Sequence, residues 1–310
     1  MLAAGAPLQL RPDMPLAQAI EIYLDALKLG GFSIYTIKAF KSDIGLLASW
    51  AGGDRVINTI STPDISHFLN WMLYERGIPC SPKSYARRVT TLKNFFGYLH
   101  QMKALVKDPS SAILQQTVIS PLPEVPTLED INALLQVTES IRTGDKPDSR
   151  PHMLVTLLLG AGIKKSEAMA LRPTDIDRGN PEAPILWIRY ANPQMRYKER
   201  KIRLSREWLE VFDEYMAQRQ PRAEIFDCTA RNLEYVLRDV ANAAGVAQQK
   251  ISFESLRWAC AMIDYRAGVE QDKLRQKLGL SRVSWRETSS KLAQLVTGAG
   301  KLFDRTDESG

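Results

Sequence analysis

Two stretches of this 310-residue chain concentrate positive charge in a way that suits phosphate chemistry. Arg196, Lys198, Arg200, Lys201, Arg203 and Arg206 share their segment with one acid, Glu199. Lys83, Arg87, Arg88 and Lys93 fall within a run from Pro82 to Leu99 that contains no acid at all. Ammonium and guanidinium groups spaced in this way neutralise a row of phosphates, which positions a nucleic acid without reading its bases. Other chemistries find little material. Cys80, Cys228 and Cys260 lie far apart with no C-x-x-C pair, and there are three histidines, so neither a disulfide framework nor a zinc module is expected. No convincing set of clustered carboxylates offers a metal-dependent route to phosphodiester cleavage. No metal and no cofactor is expected, and the cysteines read as inert.

The elements that must position these groups follow from periodicity. With 45% hydrophobic residues over 310 positions, there is apolar material for about two domains. Ala17, Ile20, Tyr23, Leu24 and Leu27 make one helical face, and Ile37, Phe40, Ile44, Leu47 and Trp50 a second, separated by Gly30-Gly31. Thr62-Pro63-Asp64 predicts a helix start with Thr62 as the cap. A fourth helix is expected from about Pro82 to Leu99, with Tyr85, Val89, Leu92, Phe95 and Phe96 inward. Residues 1–118 therefore read as an all-helical domain and 119–127, with three prolines, as a linker. Beyond it, Leu128 to Val137 and Met153 to Leu159 read as helices. Ile185 to Tyr190 and Lys201 to Leu204 read as partner strands, and three or four helices are expected over 205–295. The polar end, 304–310, is expected to fray. No run of 18 apolar residues occurs, and no basic stretch precedes the apolar residues of Met1 to Arg11. A soluble, cytoplasmic protein without a membrane partner is expected.

The order of these segments resembles the tyrosine recombinase, or phage-integrase, family over nearly the whole chain. Ser81 to Leu99 is similar to the helix that family lays against DNA. Gly162-Ile-Lys-Lys-Ser-Glu-Ala-Met-Ala-Leu-Arg-Pro-Thr-Asp-Ile-Asp177 resembles the box of its first catalytic arginine. Lys198-Glu-Arg-Lys-Ile-Arg-Leu204 resembles the second strand of its catalytic hairpin. Ile251-Ser-Phe-Glu-Ser-Leu-Arg-Trp-Ala259 followed by Lys277-Leu-Gly-Leu-Ser-Arg-Val-Ser284 resembles the paired boxes that lead to its nucleophile. The resemblance implies a mainly α fold with a small β-hairpin, in which a helical core-binding domain (1–118) and a mixed α/β catalytic-type domain (128–303) form a clamp on double-stranded DNA.

In that family two arginines, a hairpin lysine and two histidines surround a phosphate that a tyrosine attacks, and fixed guanidinium donors stabilise the charge of the transition state. On this chain the first arginine falls at Lys164, which keeps the charge and loses the planar fork. The hairpin lysine falls at Met195, beside Arg196. The first histidine falls at Glu254, its arginine partner is present as Arg257, the second histidine falls at Leu280, and the tyrosine falls at Ser289. Tyr265 is the last tyrosine of the chain, so no register shift restores that nucleophile.

The resemblance thus implies a degenerate member with no intact catalytic set, which binds DNA through Lys83, Arg87, Arg88, Lys93, Lys164, Arg196, Lys198, Arg200 and Arg257 without cleaving it. Met195, Trp258 and Leu280 read as packing residues, and Arg257 either as a residue held by packing or by an ion pair to Glu254, or as a phosphate contact. Two other readings stay open. One is a recombinase with an unusual nucleophile, Ser289, or with residues supplied by a homo-oligomer or a related recombinase. The other is a protein–protein adaptor, favoured by the small excess of +2 beyond residue 120, out of +6 for the chain.

Overall fold

The computed structural model describes residues 9–115 and 121–303, with side chains through 297. The chain divides into two compact units between Pro121 and Leu122. Residues 119–120 of the expected linker and the expected frayed end, 304–310, lie outside the described residues.

The first unit is built from α1 (Leu16–Leu29), α2 (Ile34–Ala51), α3 (Thr62–Asn70) and α4 (Pro82–Gln101). Its core takes the faces that periodicity marks: Tyr23 and Leu24, Ile44 and Leu47, Phe68, and Phe95 with Phe96 are buried together. Tyr23 meets Phe95 edge-on at 5.4 Å, the geometry ring quadrupoles favour. The expected cap at Thr62 is corrected by one residue. Ser61 caps α3: its hydroxyl accepts from the Asp64 amide, and the Asp64 carboxylate accepts from the Ser61 amide at 2.8 Å. That reciprocal arrangement satisfies two orphan donors and leaves Pro63 inside the first turn, where no amide is needed. Bonding to Ser61 also holds the Asp64 carboxyl at about 2.

The second unit opens with α5 (Leu128–Thr143), α6 (Arg150–Ala161) and the single turn α7 (Lys165–Ala168). A three-stranded antiparallel sheet follows in the order β1 (Ile176–Asp177), β2 (Ile185–Ile188), β3 (Arg200–Arg203). Leu186 pairs with Ile202 and Trp187 with Lys201, so Leu186, Ile188 and Ile202 point into the core. β1, two residues long, is too short to alternate visibly, and sequence reading misses it. Five helices complete the unit where three or four are expected: α8 (Arg206–Arg219), α9 (Ala230–Ala243), α10 (Phe253–Arg266), α11 (Gln271–Lys277) and α12 (Arg282–Phe303). α11 has seven residues, two turns, which is too little for a 3.6-residue period to declare itself.

α6 ends at Gly162, in the left-handed region with φ +57°. A Cβ there would stand 3.0 Å from Cys260 Sγ and from Leu278 Cδ2. Glycine therefore permits both the turn and the close approach to α10, and that approach brings the Gly162 carbonyl within reach of Arg257. Burial pushes the Cys260 thiol up to about 11, away from reactivity. Among the described residues no helix is long and apolar enough to cross a membrane.

Candidate functional site

A cavity of about 380 Å³ in the second unit is lined by Lys164, Lys165, Glu234, Glu254 and Arg257, with Leu237, Ile251 and Phe253 as its apolar wall. Three of the six positions that the resemblance singled out thus share one pocket, although 90 residues separate Lys164 from Glu254 in the chain. Lys164 precedes α7, and its ammonium lies 4.0 Å from Glu167 Oε1. Burial lowers the Lys164 pKa, with Glu167 opposing and Arg257 assisting. Glu254 is exposed and accepts from Trp258 Nε1 at 3.0 Å. The alternative of an Arg257–Glu254 ion pair is corrected here. Arg257 is buried and donates to two backbone carbonyls, those of Gly162 and, at 2.5 Å, Leu278. Burial also lowers its pKa.

Beside the pocket lies a group that sequence reading missed. The Glu167 carboxylate, 1% exposed, receives both forks of Arg200, at 3.0 and 2.9 Å, and the Tyr190 hydroxyl. Burial alone would raise the Glu167 pKa. The bidentate bonds and the charge of Arg200 more than reverse it and hold the carboxyl at about 2. Tyr190 goes the other way, to about 12, through burial and its bond to Glu167, so it serves as a neutral donor. Arg200 therefore departs from the expectation of a phosphate contact: its side chain is 7% exposed and faces inward. Its Nε donates to the Lys277 carbonyl at 2.6 Å. Arg200 and Arg257 together take the Lys277 and Leu278 carbonyls at the end of α11, where cations complement the helix dipole. The one signal in the sequence was Glu167 three residues after Lys164.

The remaining positions are scattered. Met195 sits in the turn Pro193–Lys198 before β3, and its sulfur accepts from Lys198 Nζ at 3.8 Å, so the hairpin keeps an ammonium beside it. Arg196 is exposed on that turn. Leu280 packs on the small cluster of Leu274, Leu278 and Trp285, as do Trp258 and Tyr265. Ser289 lies on α12 with its hydroxyl donating to the Arg286 carbonyl at 3.2 Å, a bond within its own helix. On α4 the four cations divide. Lys83 and Arg87 are exposed, and Arg87 also donates to Asp43 at 2.8 Å. Arg88 and Lys93 turn inward, which departs from their expected role as DNA contacts. Arg88, 15% exposed, faces the buried Asp43 and donates to Cys80 Sγ, and Lys93 donates to the Ile113 carbonyl at 2.6 Å. The acid missing from α4 is supplied by α2. Among the described residues no group of His, Cys, Asp and Glu is arranged to hold a metal ion.

Comparison with known proteins agrees with this architecture. Residues 125–287 match the phage integrase family and residues 20–103 match its N-terminal SAM-like domain. The chain belongs to the phage integrase family, the tyrosine recombinases. It is 23% identical over 268 residues to a tyrosine recombinase XerD of Listeria innocua, covering 82% of this chain and 86% of the relative. To XerD of Pseudomonas putida it is 29% identical over 224 residues, 69% of this chain and 67% of the relative. Among solved structures, the Tn1549 transposon integrase in complex with a circular intermediate DNA superposes with a TM-score of 0.70 at 19% identity, over 90% of this chain and 94% of the other. XerH bound to a palindromic difH substrate gives 0.69 at 17% identity, over 93% and 84%. These structures share the fold.

Proposed function

We propose that this chain is a DNA-binding member of the phage integrase family that holds duplex DNA non-covalently and has lost strand cleavage and strand transfer, in an architectural, regulatory or mobile-element role. The observation that carries the reading is the composition of the pocket. Lys164, Glu254 and Arg257 meet there, and no hydroxyl, thiol or phenol of nucleophilic character joins them beyond Ser252, which caps α10. Glu254 places a carboxylate where a phosphate would sit, and like charge opposes it. Ser289 is bonded to its own helix and has no imidazole to activate it, since no histidine follows His152. DNA as the partner is supported by family membership and by relatives whose structures hold DNA. A nucleoid location follows from that partner.

The test is a cleavage assay. Supercoiled plasmid carrying candidate sites is incubated with the purified chain and run on a denaturing gel. The expected result is intact plasmid and no SDS-resistant protein–DNA species. An adduct that disappears in Ser289→Ala, or in a variant of the exposed phenol Tyr197 (Tyr197→Phe), would contradict the loss of cleavage.

A further inference from the structure

The resemblance sets an arginine where this chain has Lys164, and the exchange brings a chemistry that a guanidinium lacks. Arginine keeps its proton in any protein environment, whereas a lysine amine gives it up when burial and neighbouring charge oppose it. The Lys164 side chain is 34% exposed and lines the cavity of about 380 Å³ beside Leu237, Ile251 and Phe253. Its nitrogen stands 4.0 Å from Glu167 Oε1, beyond hydrogen-bond distance. That carboxylate is already occupied, by both forks of Arg200 and by the Tyr190 hydroxyl. Burial disfavours the charged form of Lys164, and so do the positive charges of Arg257, Lys198 and Arg200, while Glu167 opposes them. The other charged groups on the cavity wall have partners of their own: Lys165 pairs with Glu234 at 2.7 Å, and Glu254 accepts from the Trp258 indole. An anion on the Lys164 nitrogen would meet the same three cations that repel an ammonium there. The surroundings therefore favour a change of sign at this atom, not merely a loss of charge.

We propose that Lys164 is a carbamylation site, at which carbon dioxide adds to the amine and the resulting carbamate is stabilised by the charges of Lys198, Arg200 and Arg257. The nitrogen lone pair of the free amine attacks the carbon of carbon dioxide. An N–C bond forms, one C=O π bond breaks, and its electron pair becomes the charge of the new carboxylate. The nitrogen gives one proton to water, and nothing is oxidised or reduced. Carbon dioxide is uncharged, so the Glu254 carboxylate does not oppose its entry as it opposes a phosphate. The side chain changes from positive to negative, which makes the pocket responsive to dissolved carbon dioxide. The proposal does not depend on DNA binding and is tested on the free chain.

The purified chain is equilibrated with isotope-labelled bicarbonate near neutral pH and treated with triethyloxonium tetrafluoroborate, which converts a carbamate to a stable ethyl ester. Digestion and tandem mass spectrometry then locate the label. The expected result is a labelled ethyl carbamate on Lys164, several-fold more occupied than on Lys165, which lines the same cavity and has a carboxylate partner. Lys164→Arg should remove it. Lys198 lies on the turn before β3, so Lys198→Gln changes the charge near Lys164 without touching its helix. That exchange should lower the occupancy several-fold, and Lys198→Arg, which keeps the charge, should retain the wild-type level. A merely structural role for Lys198 would not separate Gln from Arg in this way. Label absent from Lys164, or spread evenly over Lys164, Lys165 and the exposed Lys83 and Lys273, would overturn the proposal. An occupancy indifferent to Lys198→Gln would overturn it as well.

Discussion

Glu167 shows how a single buried carboxylate fixes the electrostatics of its surroundings. With a folded-state pKa of about 2 against an ordinary value of 4.5, it favours folding by about 3 kcal/mol at neutral pH, since one pKa unit is worth 1.36 kcal/mol. The folded value is the lower one, so this contribution is complete above pH 4.5 and disappears as the pH falls towards 2. Glu167→Gln should therefore be less stable than the wild type in urea titrations at pH 6, and the gap should close near pH 2. A gap that stays constant with pH would show that the carboxylate's charge is not what matters. Neither Glu167 nor Tyr190 stood out in the sequence, because a buried acid and an exposed one look alike there and only the fold brings Arg200 across from β3. Arg257 was legible through the resemblance, as the arginine of the family's His-x-x-Arg box. Its direction was not, because the carbonyls it takes belong to Gly162 and Leu278, set by two separate turns.

At the scale of elements, the turn between α11 and α12 carries the arrangement. Gly279 has φ +59°, and a Cβ there would stand 2.6 Å from Arg200 Nη1. Gly245 has a similar φ, +68°, with nothing within 4 Å of such a Cβ. Gly279→Ala should lower the melting temperature by several degrees more than Gly245→Ala, because both strain the left-handed conformation and only the first displaces the guanidinium. Equal losses would mean that Arg200 yields freely. α4 gives a second contrast. Asp43, 1% exposed, pairs with Arg87 and Arg88, so Arg88→Glu would set two carboxylates together inside the first unit and report on folding. Lys83→Gln instead changes an exposed position outside that pair, and should weaken DNA binding with an unchanged melting temperature. Unchanged affinity would remove α4 from the interface. The long helices α1 to α6 were readable because each shows an apolar stripe over several turns. β1, α7 and α11 were not, because two to seven residues hold no period.

For the whole molecule, the sequence carried the family through the order of its boxes, and the fold agrees with it. On the reading proposed above, most of the family's chemical positions hold other residue types here, and Arg257 and Arg200 are turned to internal acceptors. A chain built in this way should grip DNA through charge and release it intact. The most direct measurement is retention of fragmented genomic DNA by the purified chain over a salt series, before and after SDS. Retention that falls steeply with salt and vanishes in SDS is the predicted result, and sequencing the retained fragments would name the site. Retention that survives SDS would contradict it, because a covalent link would then exist in a chain without the expected tyrosine. The absence of retention at low salt would contradict DNA binding itself and leave the protein–protein adaptor as the reading to pursue.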